Sequence, residues 1–454
     1  MTSTHTTTKK TNHYFRALVA LAALAMMAML LTVGKTAQAS TTFTVNSAAD
    51  FADVNPGDGV CDADAAIGNL CTLRAAINES NVTVGVDTID FNIGGTGVRT
   101  ISPQTNLPNI IEPVTINGFT QPGSSPNTLS KGTNAKLMIE LNGSGVTGTF
   151  NSVGLRLGAP DIVVQGLVIN RFVAGVQISD NADAVRLQQN FIGTNPSGTQ
   201  DLGNSIGVAV QGFGNSIGGT FPQDANLISG NDGAGIAIRS PASNTGVAHN
   251  LIGTDKSDTK RLGNFEAGVE IADSSNNFVE NNTIAFNGKD GVSVAGGGGR
   301  TGIIVSANTI LSNSIFSNGG LGINLIKPVE LPVGESDGPT PNDTGDADSG
   351  PNGLQNKPVL TVAKTVSGKT TIKGKLNSHP NETYKIQLFS NPARGSEGKK
   401  LIAEKSITTD GSGNRSFTFT PAKVAVGRTI TATATRDSTI DTSEFSAPRK
   451  VASS

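Results

Sequence analysis

Two short phrases of hydrophobic and polar residues recur through the middle of the chain. The first places an aliphatic residue three positions before an Asn and an Ile two positions after it. Copies are centred on Asn190, Asn250, Asn282 and Asn308, with a partial copy at Asn226. The second phrase is a Gly followed by two aliphatic residues that flank one variable position. It occurs at residues 175–178, 207–210, 235–238, 268–271, 291–294 and 322–325.

Each Gly phrase predicts a three-residue strand that follows a turn and alternates its side chains inward and outward. The closest steps between the asparagines, 226 to 250 and 282 to 308, are 24 and 26 residues. This spacing is typical of one coil of a parallel β-helix. We predict an all-β fold with a right-handed parallel β-helix over residues 151–333.

The recurring asparagines are predicted to have a structural role. An amide that both donates and accepts can bond to its copy in the next coil and satisfy a buried corner. We expect the four complete copies to stack in one column, with a buried column of isoleucines beside them. Those isoleucines are Ile192, Ile252, Ile284 and Ile310.

A longer repeat relates residues 190–204 to residues 250–264, at an offset of sixty. Each copy contains a polar excursion, from Asn195 to Asp201 and from Asp255 to Arg261. We expect both excursions to leave the β-helix at the same corner, two coils apart. They are candidate binding loops, because insertions in solenoids cluster on the working face. Two tolerated surface loops are the alternative.

The amino terminus has the features of an export signal. Basic residues precede an apolar run from Ala17 to Val33, and the triplet Ala37-Gln38-Ala39 follows. This pattern predicts a signal peptide over residues 1–39 and a secreted or cell-surface protein. An uncleaved membrane anchor is the alternative, whereas no later stretch approaches membrane length. Residues 40–454 contain 30 Lys and Arg against 36 Asp and Glu, a formal net charge of −6, which argues against a nucleic-acid partner.

Residues 40–150 are interpreted as an N-terminal cap followed by the first coils. Cys61 and Cys71 are predicted to form a disulfide, because an exported chain meets an oxidising compartment. Two free thiols are the alternative. Thr72 can cap a short helix that buries the apolar residues after it.

The hexapeptide at residues 71–76, Cys-Thr-Leu-Arg-Ala-Ala, resembles the Cys-Ser-Leu-Arg-Glu-Ala motif near the start of many exported bacterial β-helix proteins. Thr72 and Ala75 depart from that motif. Residues 87–91 and 115–118 are similar to the first coils of the same family. The resemblance implies a pectin-lyase-like right-handed parallel β-helix. It implies no particular activity, because this fold serves lyases, hydrolases, adhesins and structural proteins alike.

Composition predicts an acidic linker rich in Gly and Pro at residues 334–356. Asp343, Asp346 and Asp348 lie within it and are candidate ligands for Ca²⁺, since glycines between acidic residues let backbone carbonyls join the carboxylates. A solvated acidic linker is the alternative. Alternating stretches over residues 357–454 predict a small β-sandwich. Its segment from Thr429 to Thr435 resembles the last strand of bacterial immunoglobulin-like modules, which implies a spacer or docking role.

Candidate catalytic residues are sparse. The chain has no Trp, and Tyr384 is the one Tyr after the signal segment. Four phenylalanines, Phe172, Phe191, Phe213 and Phe265, could stack against sugars if they are exposed. His249 adjoins a repeat Asn and is expected to be packed. We therefore predict a non-catalytic protein that binds an extracellular glycan or surface partner. A polysaccharide lyase or glycoside hydrolase is the alternative.

Overall fold

The computed structural model describes residues 40–64, 66, 69–146, 151–296, 305–327 and 338–453. The predicted signal peptide lies outside the described residues. Within these ranges no helix has the length and apolar character needed to cross a membrane. Three long parallel sheets form the body of the molecule, and successive strands along the chain pass from one sheet to the next. This topology is a parallel β-helix, as predicted.

Strands are numbered in chain order. The first sheet contains β1 (Thr42–Val45), β2 (Asp87–Phe91), β4 (Val114–Asn117), β7 (Val163–Gln165), β10 (Arg186–Gln188), β13 (Ser216–Gly218), β16 (Gly246–Ala248), β19 (Phe278–Glu280) and β22 (Thr309–Leu311). The second contains β3 (Arg99–Ile101), β5 (Ile139–Asn142), β8 (Leu167–Asn170), β11 (Phe191–Ile192), β14 (Leu227–Ile228), β17 (Leu251–Ile252), β20 (Thr283–Ala285) and β23 (Ser314–Phe316). The third contains β6 (Val153–Leu157), β9 (Ala174–Ile178), β12 (Ile206–Val210), β15 (Ile236–Arg239), β18 (Val269–Ala272), β21 (Val292–Ala295) and β24 (Ile323–Ile326).

Stacked asparagines line the corner that precedes the second sheet. The ladder runs through Asn190, Asn226, Asn250, Asn282 and Asn313, and each side-chain amide donates to the next side-chain oxygen over 2.9–3.2 Å. Each of these side-chain oxygens also accepts the backbone N–H of the asparagine one coil below. The ladder therefore satisfies backbone groups that would otherwise be buried without partners.

The predicted column is wrong in its last member. Asn308 belongs to a different ladder, where its side-chain oxygen accepts from the Asn277 amide at 2.9 Å. Ile310 pairs with Val279 in the first sheet, and Ile315 takes the expected place in the second. The sequence pattern occurs twice in this coil, around Asn308 and around Asn313, five residues apart. Both corners use an asparagine amide just before a buried strand residue, so the pattern alone does not show which copy precedes the second sheet. All four predicted isoleucines are buried.

The N-terminal end is closed by one α-helix, α1 (Leu73–Ser80), and by the loop before it. Thr72 caps α1 and accepts the backbone N–H of Ala75 at 3.1 Å. The predicted disulfide between Cys61 and Cys71 is confirmed, with Cα atoms 5.1 Å apart. Short 3₁₀ turns occur at Gly118–Thr120, Gly143–Gly145, Pro222–Asp224 and Pro351–Leu354.

The C-terminal unit consists of two antiparallel sheets around one core. Its three-stranded sheet contains β25 (Val359–Val366), β26 (Lys369–Asn377) and β29 (Asn414–Phe419). Its four-stranded sheet contains β27 (Thr383–Asn391), β28 (Lys400–Thr408), β30 (Thr429–Arg436) and β31 (Arg449–Lys450). Buried side chains from both sheets form a single hydrophobic cluster. We refer to this unit as the sandwich.

The sandwich covers the last coil of the β-helix. Gly398 forms an antiparallel bridge with Ile315 of β23, and Glu397 accepts the Asn318 side-chain amide at 2.9 Å. The segment 338–356, in which composition predicts a linker, is folded against both units. Its Asn352 is fully buried and accepts the backbone N–H of Asn308. The sandwich and this segment thus satisfy polar groups that an open β-helix end would expose.

Candidate functional site

The two polar excursions form nearly identical loops at the same corner, as the repeat predicts. Antiparallel bridges close them, between Thr194 and Asp201 and between Thr254 and Arg261. The first loop residue holds each turn. Asp255, for example, accepts the Ser257 hydroxyl at 2.7 Å and backbone N–H groups behind it. Burial acts to raise the pKa of Asp255, but these hydrogen bonds lower it below its usual range.

The loops also stack on each other and on a third segment. The backbone N–H of Lys256 donates to the Gly198 carbonyl at 3.0 Å, and that of Thr133 donates to the Lys256 carbonyl at 2.8 Å. Together they cover the outer face of the second sheet, which is apolar and buried at this level. The covered side chains are Val168, Phe191, Leu227 and Leu251, packed with Ala135 and Leu137. Much of each loop therefore serves packing.

A groove of about 240 Å³ lies where this cover ends. Thr283 and Ser314 of the next two coils line it in place of the buried apolar residues below them. Lys131, His249 and Asp258 are the ionisable side chains among its lining residues. The sequence predicts that both loops form the binding surface. In the structure, Asp258 of the second loop lines the groove, together with Lys131 and His249 from other segments.

Asp258 has the most unusual environment in the groove. Its side chain is 7% exposed, and its nearest cation, Lys131, lies 3.9 Å away. Its buried Oδ1 has no hydrogen-bond partner among the described residues. Burial raises the pKa of Asp258 above its ordinary value, although the Thr283 hydroxyl and the Lys131 charge act to lower it.

The backbone of Asp258 is also strained. Its φ is +60°, in the left-handed region that favours glycine. The equivalent residue of the first loop is Gly198, with a φ of +65°. The second loop thus places a buried carboxylate, with one oxygen that has no hydrogen-bond partner among the described residues, where its own repeat has a glycine. This mismatch is visible in the sequence, but without the structure it shows neither the strain nor the burial.

Two further ionisable groups lie at or beside the groove. His249 occupies the corner, where its Nδ1 lies 3.0 Å from the Gly219 carbonyl oxygen. Glu280 precedes the lining residue Asn281. Burial raises the pKa of Glu280, while Lys385 and His249 act to lower it. Within the described residues, no hydrogen bond joins His249 to Asp258 or Glu280.

The aromatic candidates divide by burial. Phe172 and Phe191 are buried and cannot stack against a ligand, whereas Phe213 and Phe265 are exposed. Phe221, which the sequence prediction missed, is 63% exposed and directly precedes a groove residue, Pro222. Its polar neighbours give no hydrophobic pattern that would single it out. Phe221 is thus an exposed aromatic residue that adjoins a groove-lining residue in the sequence.

The three predicted calcium ligands converge. Carboxylate oxygens of Asp343, Asp346 and Asp348 lie within 4.8 Å of one another. Asp343 accepts the backbone N–H of Asp348 at 3.0 Å, and Asp346 accepts the Ser378 hydroxyl. Burial raises the pKa of Asp346 to about 6. Asp348 has a buried oxygen without a hydrogen-bond partner in the described structure. The cluster fits a hard cation chemically, and calcium binding stays a prediction.

The class that this architecture defines is the parallel β-helix capped by a β-sandwich. No protein-family model and no curated protein matches the chain. Similar solved structures include the enzymatically active domain of bacteriophage CBA120 tailspike protein 2, with 10% identity, 83% of this chain and 73% of that chain covered, and a TM-score of 0.27. The Dettilon tailspike protein has 10% identity, coverage of 80% and 92%, and a TM-score of 0.26. The alginate lyase from Paenibacillus sp. str. FPU-7 has 14% identity, coverage of 54% and 93%, and a TM-score of 0.31.

Similarities at this level do not identify a ligand. The fold assignment rests on the parallel pairing of the three sheets, and the function must be argued from the groove itself.

Proposed function

We propose that this protein is a secreted or cell-surface glycan-binding protein whose β-helix groove holds a sugar unit against Asp258. The observation that carries the proposal is the buried Asp258 carboxylate, which lines the groove without a hydrogen-bond partner for Oδ1. A buried carboxylate is costly unless a donor reaches it. Sugar hydroxyls are such donors.

The surroundings of Asp258 suit a largely neutral saccharide. Thr283 and Ser314 place hydroxyl oxygens on the groove floor, where the Ser314 hydroxyl donates to the Lys399 carbonyl at 2.7 Å and keeps its accepting capacity. Lys131 offers an ammonium group at the rim. Phe221, which precedes the lining residue Pro222, offers an exposed ring on which the apolar face of a sugar can stack. A groove with a few fixed polar groups and an aromatic edge is the usual form of a ligand site.

Asp258 also carries a stability cost that its repeat partner avoids. A left-handed backbone at a residue other than glycine costs about 1–3 kcal/mol, and the buried Oδ1 without a hydrogen-bond partner adds to this cost. Strain that the surrounding fold does not need is typical of functional positions. This reasoning favours a role for Asp258 in binding over a role in folding.

The alternative function is glycan cleavage, and one observation favours it. Burial raises the pKa of both Asp258 and Glu280, which is a property of general acids. A hydrolase would need these carboxylates to flank one glycosidic bond. The same glycans should therefore be assayed for released reducing ends as well as for binding.

The test is a glycan array followed by calorimetry with the strongest neutral oligosaccharide. Asp258→Asn keeps the shape but removes the charge, and we expect it to weaken binding about ten- to a hundredfold. Asp258→Gly should abolish binding and raise the free energy of unfolding by about 1–2 kcal/mol. Asp161 is a matched control, because it is exposed and has a φ of +59°.

Asp161→Gly should relieve the same backbone strain without changing affinity. Unchanged affinity in both Asp258 variants would refute the groove as the binding site. Reducing ends released by the wild type and absent with Asp258→Asn would establish the cleavage alternative instead.

A bound calcium ion is a second, separate proposal. Asp343, Asp346 and Asp348 would hold it and fix the segment 338–356 between the β-helix and the sandwich. We expect millimolar calcium to raise the melting temperature of the wild type and to have no effect on Asp348→Asn. Magnesium is the control cation, since it demands a tighter octahedral geometry. No calcium-induced shift and no binding heat with the wild type would end this proposal.

A further inference from the structure

The sandwich and the β-helix carry opposite charge. Residues 357–454 contain 16 Lys and Arg against 7 Asp and Glu, a formal net charge of +9. Residues 40–356 contain 14 Lys and Arg against 29 Asp and Glu, a net charge of −15. The modest charge of the whole chain therefore conceals a strongly basic unit at its carboxyl end, and such an asymmetry indicates an anionic partner.

Much of the acidic complement of the sandwich is turned toward the β-helix. Glu397 accepts from Asn318, and Asp441 accepts the backbone N–H of Ala307 at 2.6 Å. Glu444 is buried, accepts the backbone N–H of Leu325 in β24 at 3.3 Å, and pairs with Lys357 at 2.8 Å. These three carboxylates are used in docking the sandwich. Cations of the sandwich face the same way, since Lys357 pairs with Glu444 and Lys399 Nζ lies 3.8 Å from the centroid of the Phe316 ring. The rest of the sandwich therefore keeps the strongly basic character that its composition indicates.

A pocket of about 360 Å³ opens between the edge of the four-stranded sheet and the segment that follows β29. Its lining residues include three cations, Lys400, Lys423 and Arg428, and no carboxylate. Lys400 and Lys423 are exposed at the rim. None of the three forms an ion pair with any residue that the structure describes. A concave surface with three uncompensated positive charges is suited to an anion.

Arg428 is held in place before any ligand arrives. Its Nε donates to the Ser390 hydroxyl at 2.8 Å, and one terminal nitrogen lies 3.4 Å from the Ser390 carbonyl oxygen. The remaining guanidinium donors stay available at the pocket. A fixed guanidinium recognises planar carboxylates well, because its fork of donors matches their geometry and little entropy is lost on binding.

We propose that this pocket binds a carboxylated polysaccharide, such as a polymer of uronic acid units. The pocket is large enough for one sugar ring. A further cationic residue, Lys369, lies next to the pocket, since its backbone is bridged to Ala422 in the pocket wall. A polymer with regularly spaced charges can use such a surface. Nucleic acid is less suited, because the lining includes no aromatic side chain on which a base could stack.

This second site is independent of the Asp258 groove and would bind a different ligand. The sandwich would hold the protein on an acidic polymer through charge, while the β-helix groove reads a largely neutral sugar. The confirmed disulfide agrees with a location in an oxidising compartment, where such polymers are accessible.

The experiment measures affinity for polygalacturonate oligomers by calorimetry on the full secreted chain. Lys400→Gln with Lys423→Gln should weaken binding about tenfold or more at low salt, and 0.5 M salt should weaken the wild type strongly. The matched control is Lys373→Gln with Lys375→Gln, which removes equal charge from exposed positions on the three-stranded sheet. That control should retain nearly all of the affinity.

Three results would overturn the proposal. They are no binding of polygalacturonate by the wild type, equal losses in the pocket and control variants, or tighter binding of single-stranded DNA than of polygalacturonate. Asp258→Asn should keep its affinity for polygalacturonate. The neutral oligosaccharide tests the groove and polygalacturonate tests the pocket, so either proposal can fail without the other.

Discussion

Removing one amide from the asparagine ladder should measure how much this ladder contributes to stability. The Asn250 side chain is fully buried. Its oxygen accepts both the backbone N–H and the side-chain amide of Asn226, at 3.2 and 2.9 Å. Its own amide donates to the Ile217 carbonyl at 2.8 Å and to the Asn282 side chain at 3.1 Å. The amide also lies 3.1 Å from the Ala248 carbonyl oxygen. Asn250→Ala removes all five contacts and leaves buried partners without replacements.

The expected loss follows from these contacts. Each net hydrogen bond contributes about 1 kcal/mol, and each buried group left without a partner costs about 1–3 kcal/mol. Because some partners keep another bond, we expect the free energy of unfolding to fall by about 4 kcal/mol. Asn181→Ala is the control, since Asn181 is exposed in a turn. It should change stability by less than about 0.5 kcal/mol.

Urea unfolding followed by far-ultraviolet circular dichroism gives both values, with the transition of the β-helix separated from that of the sandwich. A double-mutant cycle with Asn226→Ala adds a second check. The second substitution should cost clearly less than the first, because the bonds between these two residues are already lost. A loss below about 1 kcal/mol for Asn250→Ala, or full additivity in the cycle, would refute the ladder as a stabilising network.

Three other predictions concern the N-terminal cap, the docked sandwich and the ladder register. Replacing Cys61 and Cys71 by Ser should lower the free energy of unfolding by about 2–3 kcal/mol, because the unfolded chain regains the entropy of a short closed loop; wild-type stability in the variant would contradict this. Burial raises the pKa of Asp441, so this group favours the folded state when protonated and loses that contribution as pH rises through its folded pKa. Asp441→Asn should therefore raise the melting temperature at pH 7 and match the wild type near pH 3, whereas a lower value at pH 7 would show that its charge is needed for docking. Asn313→Ala should reproduce much of the loss seen with Asn250→Ala, since it accepts both the backbone and side-chain N–H of Asn282; a loss like that of Asn181→Ala would mean that the ladder ends earlier.

The sequence by itself determined the β-helix, because its period is a local property. A strand of three residues, a corner amide and a glycine turn recur at a spacing that one coil fixes. The disulfide and the pairing of the two polar loops followed in the same way. Each depends on residues that are close in sequence or on one exact repeat.

Tertiary structure decided the register of the last ladder and the nature of the site. The phrase around Asn308 also occurs around Asn313, and only strand pairing shows which copy lies at which corner. The significance of Asp258 depends on Lys131, Thr283 and Ser314, which come from segments far apart in the chain. The burial of Asp258 and the missing hydrogen-bond partner of its Oδ1 result from the packing of these segments. The sequence of the loop alone therefore cannot predict them.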